Sequence, residues 1–426
     1  MTDSTVIGEI QKRPFVRLLI FWIAGILLQV CFPLQDVSFA LPASVFIVLI
    51  IGSRRKREDV IFNARWLPGA LLACLFVFLA IQMTGLVEQR ITAGSEPGIL
   101  LRKAQAIQAA MVEKLSMLNL PDADRSVLAT ITVNFRRAMT RELMNTFSVS
   151  GVSHILAVSG YHVGVVSGFV GGLLSFLPKR GAVSRFVKYL VIMVCVWSFA
   201  FVSGLTTAGV RAATMITIYL TGNVLGQNHD KYNTLAGAAF CMLVYNPFYL
   251  FDVGFQLSFS AVFFILYLQP RFDRLLDIKN PLIARPWQVL TITVSAQIGT
   301  CFLCFLYFGQ TSLVFLFTNL FVAFLSVVLI PLALIWMRSP IWMPYMDVLG
   351  AIIETVTRWM MFVVESFSQL PGAKLSVRFD LISTILSYFS LITFLLYLQW
   401  RRYHLLIIAL TTLLFIICRL LFFVLH

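Results

Sequence analysis

Apolar stretches long enough to cross a lipid bilayer recur along almost the whole of this 426-residue chain. The sequence is 59% hydrophobic and only 12% charged, whereas a soluble globular domain carries about 25% charged residues. A helix that crosses the hydrocarbon core needs about 20 apolar residues. The sequence therefore predicts an all-α polytopic membrane protein with about 11–13 transmembrane or re-entrant helices, counted by that length standard.

The predicted spans follow one another with short connections, apart from one longer polar interval. The segment 346–370 carries Glu354, Arg358 and Glu365, so it either spans the membrane or lies flat in the interface. The predicted spans are residues 15–32, 37–51, 66–87, 160–177, 189–203, 209–225, 232–250, 253–269, 286–308, 313–336, 346–370, 381–399 and 404–425.

The formal net charge of +14 is concentrated largely in short loops, at residues 54–57, 179–188, 271–285 and 401–402. If the N-terminus is cytoplasmic, the predicted spans place all of these loops on the cytoplasmic side. Cytoplasmic loops of membrane proteins are enriched in Lys and Arg. The basic loops therefore favour a topological explanation over nucleic-acid binding.

The chain divides into three predicted regions: N-terminal transmembrane helices (1–87), amphipathic extracytoplasmic helices (88–150) and a transmembrane domain (151–426). In the middle region, one helical repeat runs from Leu100 to Leu118 and another from Leu128 to Leu143. Two amphipathic helices are therefore predicted outside the cytoplasm. Arg136, Arg137 and Arg141 fall on the second, where they can meet phosphates, lipid headgroups or solvent.

Residues 151–172 combine titratable side chains with glycines in an otherwise apolar segment. Polar groups at membrane depth are functional candidates because they are costly there. His154 and His162 can be proton carriers, lining residues or satisfied core imidazoles, and Ser159 lies on the same helical face as His162. Glycines at four-residue spacing let another helix, or a substrate, approach the backbone closely, and the packing role is the one we favour. We therefore predict a helix-packing role for Gly160, Gly164, Gly168 and Gly172.

Two further polar, glycine-bearing segments interrupt the hydrophobic background, at 203–211 and 246–258. Irregular backbone at membrane depth is tolerated where it is buried in protein or lines a wet cavity. Arg211 lies near the start of an apolar helix, where an arginine either snorkels to the interface or pairs inside the bundle. If it pairs, Asp252 is its natural carboxylate partner. The other candidates in these segments and in a later span are the lining residues Gln256 and Asn319 and the packing glycines Gly204 and Gly254.

Several enzyme and transporter classes lack support in the sequence. There is no GxxxxGK[ST] stretch, so no Walker nucleotide loop is predicted. The five histidines lie far apart, and the pair Cys301 and Cys304 has no second pair, so no metal site and no cofactor are predicted. An intramembrane hydrolase built from Ser159, His162 and Asp252 is the weakest alternative, because no nucleophile elbow is present.

The three polar segments, in this order, resemble the competence domain of the ComEC/Rec2 family of DNA-uptake membrane proteins. The residues that carry the resemblance are 153–164 (SHILAVSGYHVG), 204–215 (GLTTAGVRAATM), Asn246-Pro247 and 252–259 (DVGFQLSF). A looser likeness continues through Gln297 and 318–320, and the pattern covers residues from about 125 to 400.

The resemblance implies an inner-membrane channel that imports single-stranded DNA during natural transformation. No enzyme activity is expected, because the sequence shows no nuclease or metallo-β-lactamase-like domain. It implies a separate nuclease, a DNA receptor and a cytoplasmic helicase-type motor as partners; a homo-oligomer is left open. Larger members also carry an OB-fold domain and, after the last spans, a metallo-β-lactamase-like domain. Residues 88–150 are too short and too helical for the OB-fold, and the sequence given ends at His426, so neither domain is expected here. Transport of another anionic polymer or lipid is therefore the alternative. The lining or gating residues expected are His154, Ser159, His162, Arg211, Asp252, Gln256 and Asn319.

Overall fold

The computed structural model describes residues 13–33, 67–92, 98–176, 181–224, 230–340 and 342–425. Within these ranges the regular structure consists of fifteen α-helices, several 3-10 turns and one two-stranded sheet. The predicted span at 37–51 and the basic loop at 54–57 lie outside the described residues.

The helices follow the predicted spans closely. In chain order they are α1 (Pro14–Cys31), α2 (Leu67–Thr92), α3 (Ile99–Lys114), α4 (Asp122–Val133), α5 (Arg141–Val149), α6 (Gly160–Leu173), α7 (Ala182–Val202), α8 (Thr207–Val224), α9 (Lys231–Tyr245), α10 (Val253–Asp273), α11 (Pro281–Phe308), α12 (Phe315–Arg338), α13 (Met346–Ser368), α14 (Leu381–Trp400) and α15 (Tyr403–Leu425). The strands are β1 (Gln310–Ser312) and β2 (Lys374–Ser376), and 3-10 turns lie at Leu115–Met117, Ser153–Leu156, Leu174–Phe176 and Pro247–Phe251.

Eight of the described helices are long and apolar enough to cross a membrane, namely α1, α2, α7, α10, α11, α12, α14 and α15. The chain is therefore a multi-pass, all-α membrane protein, as predicted. Helix α6 is apolar but has only 14 residues. At 1.5 Å per residue it rises about 21 Å, which is less than the hydrocarbon thickness of about 30 Å.

The described chain separates into two compact units. The first comprises residues 1–103, 170–200 and 207–259, and the second comprises 104–169, 201–206 and 260–426. In the first unit, α1 packs against α2 and α9 around a cluster that includes Trp22, Ile26 and Phe255. A Cβ atom on Gly25 would lie 2.4 Å from the Val77 carbonyl oxygen, so this glycine allows α1 and α2 to approach closely.

In the second unit, α11 packs against α12 and α14, and α14 forms a hairpin with α15. The Gly299 carbonyl of α11 accepts hydrogen bonds from the Ser260 hydroxyl at 2.5 Å and the Tyr388 hydroxyl at 2.6 Å. Strands β1 and β2 pair antiparallel, with Gln310 opposite Ser376. The two hydrogen bonds to the Gly299 carbonyl join α10 and α14 to α11. A side chain larger than hydrogen does not fit at Gly299, because a Cβ atom would lie 2.8 Å from Phe264.

The predicted pair of helices in residues 98–150 is three helices, so the prediction of one continuous second helix is wrong. Helix α4 ends at Asn134, whose φ of 59° is left-handed, and α5 begins only at Arg141. Residues 126–133 of α4 are all buried, so this helix is not an amphipathic surface helix. Arg136 and Arg137 consequently lie in the link between α4 and α5, and Arg141 opens α5.

Helix α13, the segment predicted either to span or to lie in the interface, packs against α12, α4 and α5. Its charged residues hold the connection between α3 and α4: the Asn119 amide donates to Glu354 Oε1 at 2.7 Å, and Arg358 Nη2 donates to the Asn119 carbonyl at 2.7 Å. Glu354 and Arg358 are therefore used in contacts within the protein.

Candidate functional site

Arg211 and Asp252 form an ion pair in the first unit, as predicted, with Arg211 Nη1 3.5 Å from Asp252 Oδ1. Helix α8 carries Arg211 in its second turn, and only 5% of the arginine side chain is exposed, against 41% for Asp252. A buried guanidinium needs a counter-charge because desolvation strongly disfavours an isolated ion. Asp252 supplies that charge from the solvent-accessible side of the pair.

Asp252 also begins helix α10. Its Oδ1 accepts a hydrogen bond from the Phe255 amide at 2.7 Å, which is the geometry of an N-cap. One carboxylate oxygen therefore caps the N-terminus of α10 and neutralises Arg211 at the same time. The sequence order Asp-Val-Gly-Phe accounts for the contact with Phe255, because an N-cap side chain reaches the amide three residues later.

The lack of a side chain at Gly254 leaves space for the Arg211–Asp252 ion pair. A Cβ atom at this position would lie 3.1 Å from Asp252 Oδ1 and 3.4 Å from Arg211 Nη2. The glycine was predicted to pack against a helix, and it instead lies against the two charged groups. Gly204 makes a comparable close approach in the second unit, where its φ is +80° and a Cβ atom would lie 3.2 Å from the Gln108 side-chain amide.

Gln256 is occupied within its own segment. Its Nε2 donates to the Leu250 carbonyl at 3.0 Å, which fastens the 3-10 turn Pro247–Phe251 to α10. Asn246 begins that turn, since its Oδ1 accepts from the Phe248 amide at 3.0 Å. Phe255 is buried in the cluster around Trp22, and its ring lies 4.3 Å from the Phe259 ring. The Phe255 ring is thus used in core packing.

Ser159 and His162 form a reciprocal cap at the start of α6, in the second unit. Ser159 Oγ accepts from the Tyr161 amide at 3.3 Å, and His162 Nδ1 accepts from the Ser159 amide at 3.2 Å. The arrangement resembles a capping box, with histidine in the place usually taken by Glu or Gln and with Ser159 Oγ accepting from the second helical amide rather than the third. Ser159 Oγ also lies 3.1 Å from His162 Nδ1.

The capping contacts fix the tautomer of His162. A backbone amide can only donate, so Nδ1 is the acceptor and the neutral ring carries its proton on Nε2. The side chain is fully buried. Among the described residues, Nε2 meets no acceptor with ordinary hydrogen-bond geometry. His162 therefore presents a buried donor, whereas His154 is exposed.

The segment that precedes α6 is held by residues of the link between α4 and α5. Asn134 Oδ1 accepts from the Val158 amide at 3.3 Å, and Arg136 Nε donates to the Leu156 carbonyl at 3.1 Å. Gly151, with φ of +83°, lies so close to Phe315 that a Cβ atom would be 2.6 Å from Phe315 Cβ. Sequence reasoning missed Asn134 and Gly151 as site residues; only the run Asn134-Phe135-Arg136-Arg137 offered a signal, and the helical repeat passed through it.

Within the described part of the chain no neighbour covers the four spaced glycines of α6, and their helix-packing role stays a prediction. Nothing lies within 4 Å of a Cβ atom built on Gly160, Gly164, Gly168 or Gly172. An open cavity of about 510 Å³, closer to a surface groove than to an enclosed space, lies against two of them and is lined by Tyr161, Gly164, Val165, Gly168, Phe169 and Val327. Its rim is fixed by the Tyr161 hydroxyl, which donates to the Ala323 carbonyl of α12 at 2.5 Å.

The later polar residues lie in the second unit. Asn319 is 8% exposed in α12, beside the buried Thr318. Gln297 Nε2 donates to Thr311 Oγ1 at 2.6 Å, which joins α11 to β1. The structure thus brings together Arg211 and Asp252 in one unit and Ser159 and His162 in the other, and convergence of all these residues on one pathway stays a prediction.

Comparison with known proteins gives one family and one informative relative. The family model described as "Competence protein" matches residues 131–402, which include all three polar segments, 151–172, 203–211 and 246–258. ComE operon protein 3 of Bacillus subtilis (strain 168) is 26% identical over 225 residues, which are 52% of this chain and 27% of that protein. No solved structure matches. The resemblance to the ComEC/Rec2 proteins is confirmed, and the chain belongs to the Competence protein family.

Proposed function

We propose that this protein forms an inner-membrane channel that imports single-stranded DNA during natural transformation. The observation that carries the proposal is the match of residues 131–402 to the competence family, because this range holds the three polar segments of an otherwise apolar chain. The chain spans about a quarter (27%) of the length of ComE operon protein 3. The activity, substrate and partners are accordingly proposed for this chain itself.

The Arg211–Asp252 pair supports passage of a polyanion. Arg211 is buried beside a broken segment of backbone, and its counter-ion is partly exposed. A phosphodiester that reaches this position competes with Asp252 for the guanidinium, which binds phosphate in the same forked geometry as carboxylate. In the resting protein Asp252 keeps Arg211 neutralised, so that the pair acts as a gate for anions.

The proposed partners are those that would supply the energy for transport and deliver its substrate. The sequence has no Walker loop, so a separate cytoplasmic helicase-type motor is proposed to pull the strand. A separate DNA receptor and a separate nuclease are proposed to deliver single-stranded DNA to the channel. His154, His162, Gln256 and Asn319 are proposed, with Arg211 and Asp252, to line or gate its path.

Deletion of the gene tests the function directly. Cells that lack it are expected to bind labelled DNA at the surface at wild-type levels and to import none into the cytoplasm. The matched complementation uses the wild-type gene and Arg211→Ala, with the membrane level of each protein measured by immunoblot. Unchanged import in the deletion strain would refute the proposed function.

The apolar cavity beside α6 favours a second candidate, transport of a lipid or lipid-linked anion. Its lining is almost entirely apolar, which suits an acyl chain better than a base or a phosphate. Val327→Trp, which fills the cavity from α12, is expected to block lipid transport and to leave DNA import unchanged. A loss of DNA import in the Val327→Trp strain with normal protein level would assign the cavity to the DNA path.

The hydrolase alternative has one observation in its favour, the 3.1 Å separation of Ser159 Oγ and His162 Nδ1. The capping box explains this separation without catalysis, since Nδ1 also accepts the Ser159 amide. A Ser159→Thr variant keeps a hydroxyl cap and provides the control for Ser159→Ala. Equal DNA import by both variants would remove the hydroxyl from the mechanism.

A further inference from the structure

The link between α4 and α5 is a surface segment that carries Arg136 and Arg137, and Arg141 follows it as the first residue of α5. Asn134 reverses the chain, the Phe135 amide donates to the Ala129 carbonyl at 3.3 Å, and Thr130 Oγ1 donates to the Phe135 carbonyl at 2.9 Å. The Met139 amide closes a further turn on the Arg136 carbonyl at 3.1 Å. Arg136 and Arg137 therefore project from a backbone that is already fixed.

Arg136 is anchored through one nitrogen only. Its Nε donates to the Leu156 carbonyl at 3.1 Å, and this is its one hydrogen bond within the described ranges. The residue is exposed. Because Nε is held, the position of the guanidinium is restricted, and its two terminal amino groups make no hydrogen bond within the described ranges. Together they form a fork suited to two phosphate oxygens. Prior ordering of the side chain lowers the entropic cost of binding.

Arg137 adds a second charge and a ring. It is exposed, and its guanidinium carbon lies 6.0 Å from the centre of the half-buried Phe135 ring. Residues 134–141 contain Arg136, Arg137 and Arg141 and no acidic residue. Basic residues beside an aromatic ring are the usual means of holding a single-stranded nucleic acid.

The composition of the exposed surface favours a dissolved polyanion over the bilayer. Segments that bind membrane surfaces combine basic residues with exposed large apolar side chains. Among the described residues, none of the exposed large hydrophobic side chains lies between Met117 and Met144. The link thus offers charge without an apolar anchor.

We propose that Arg136 and Arg137 form a binding surface for the phosphodiester backbone of single-stranded DNA, next to the His154 segment that Arg136 holds. This inference rests on the proposed function and deepens it, because it gives the channel protein its own contact for the strand. Arg136 contacts phosphate while fastening Leu156, so that binding and the position of the 153–159 segment are coupled.

The test uses the full chain in nanodiscs of zwitterionic lipid and a fluorescein-labelled oligo-dT probe, with binding measured by anisotropy across a range of salt. Arg137→Gln and Arg136→Gln are each expected to weaken binding and to lower the slope of log affinity against log salt by about 0.7, the value for one phosphate contact on a single strand. Arg274→Gln removes one exposed positive charge elsewhere and is expected to leave the slope unchanged.

Three results would overturn the inference. The first is an unchanged slope in Arg137→Gln, a variant that keeps the Arg136–Leu156 bond. The second is an equal loss in Arg274→Gln, which would mean that total charge alone attracts the probe. The third is loss of binding to anionic vesicles with oligo-dT binding intact, which would assign the arginines to the membrane surface.

The outcome is separable from that of the proposed function. Import that depends on the gene, together with an unchanged Arg137→Gln slope, removes only the binding surface. Import that persists without the gene removes the proposed function whatever the anisotropy shows.

Discussion

One oxygen of Asp252 serves both the Arg211 guanidinium and the Phe255 amide. Asp252 Oδ1 lies 3.5 Å from Arg211 Nη1 and 2.7 Å from the Phe255 nitrogen. The charge of Arg211 and the start of α10 are thus controlled by the same atom. Displacement of Asp252 both leaves the buried Arg211 cation without its counter-charge and removes the N-cap of a membrane helix.

Asp252→Asn separates these two roles, because asparagine keeps an N-cap oxygen and removes the charge. The variant is expected to lose about 1–3 kcal/mol of stability, less than a fully buried pair would lose, since Asp252 is partly exposed. Asp252→Ala, which also loses the cap, is expected to lose about 1 kcal/mol more. Apparent melting temperatures of the purified proteins measure both.

The double variant Arg211→Gln/Asp252→Asn provides the control for this prediction. It removes both charges, so it is expected to be more stable than Asp252→Asn alone. A double variant that is as unstable as the sum of the two single variants would show that Arg211 and Asp252 do not interact.

Gly254 and Gly168 are expected to respond oppositely to alanine. A Cβ atom at Gly254 would lie 3.1 Å from Asp252 Oδ1, whereas nothing described lies within 4 Å of one at Gly168. Gly254→Ala should displace the ion pair and reduce DNA import, and Gly168→Ala should be neutral or slightly stabilising because alanine favours helix. Import and membrane level are measured together, and loss of import in Gly168→Ala alone would point to the open glycine face as the path.

Hydropathy was sufficient to predict the helices, since most predicted spans match described helices to within a few residues. The partnership of Arg211 and Asp252 was also predictable, because a buried cation in lipid demands a nearby anion. The role of the spaced glycines was not. A four-residue repeat defines a bare helix face, but it cannot indicate whether a neighbouring helix covers that face, and around Gly164 and Gly168 a cavity lies there.

The break at Asn134 was missed for a different reason. Leu128, Ile131, Phe135 and Met139 keep helical spacing, yet the chain leaves the helix at Asn134 and buries α4 on every side. The periodicity of a sequence shows which positions are apolar, but not why. A short helix followed by a buried turn therefore gives the same apolar spacing as one longer helix. The hydrogen bond from the Val158 amide to Asn134 connects residues 24 positions apart, which local sequence patterns do not report.

His162 is expected to act both as a capping residue and as a buried donor, and two substitutions distinguish these roles. His162→Ala removes the acceptor for the Ser159 amide and should lower stability by about 1 kcal/mol. His162→Gln can restore the cap but has no imidazole. If the ring serves transport, His162→Gln will have near wild-type melting behaviour and no DNA import; normal import by His162→Gln would reduce His162 to a structural residue.

Asn134 is expected to be sensitive through its backbone and its side chain separately. Its φ of 59° is left-handed, and its Oδ1 holds the Val158 amide. Asn134→Gly keeps the backbone conformation and loses a hydrogen bond of about 1 kcal/mol, whereas Asn134→Ala adds a left-handed strain of about 1–2 kcal/mol. Melting temperatures should therefore fall in the order wild type, Asn134→Gly, Asn134→Ala. Equal values for the two variants would show that the αL conformation is not needed, and that α4 can continue through this position as its hydrophobic repeat suggests.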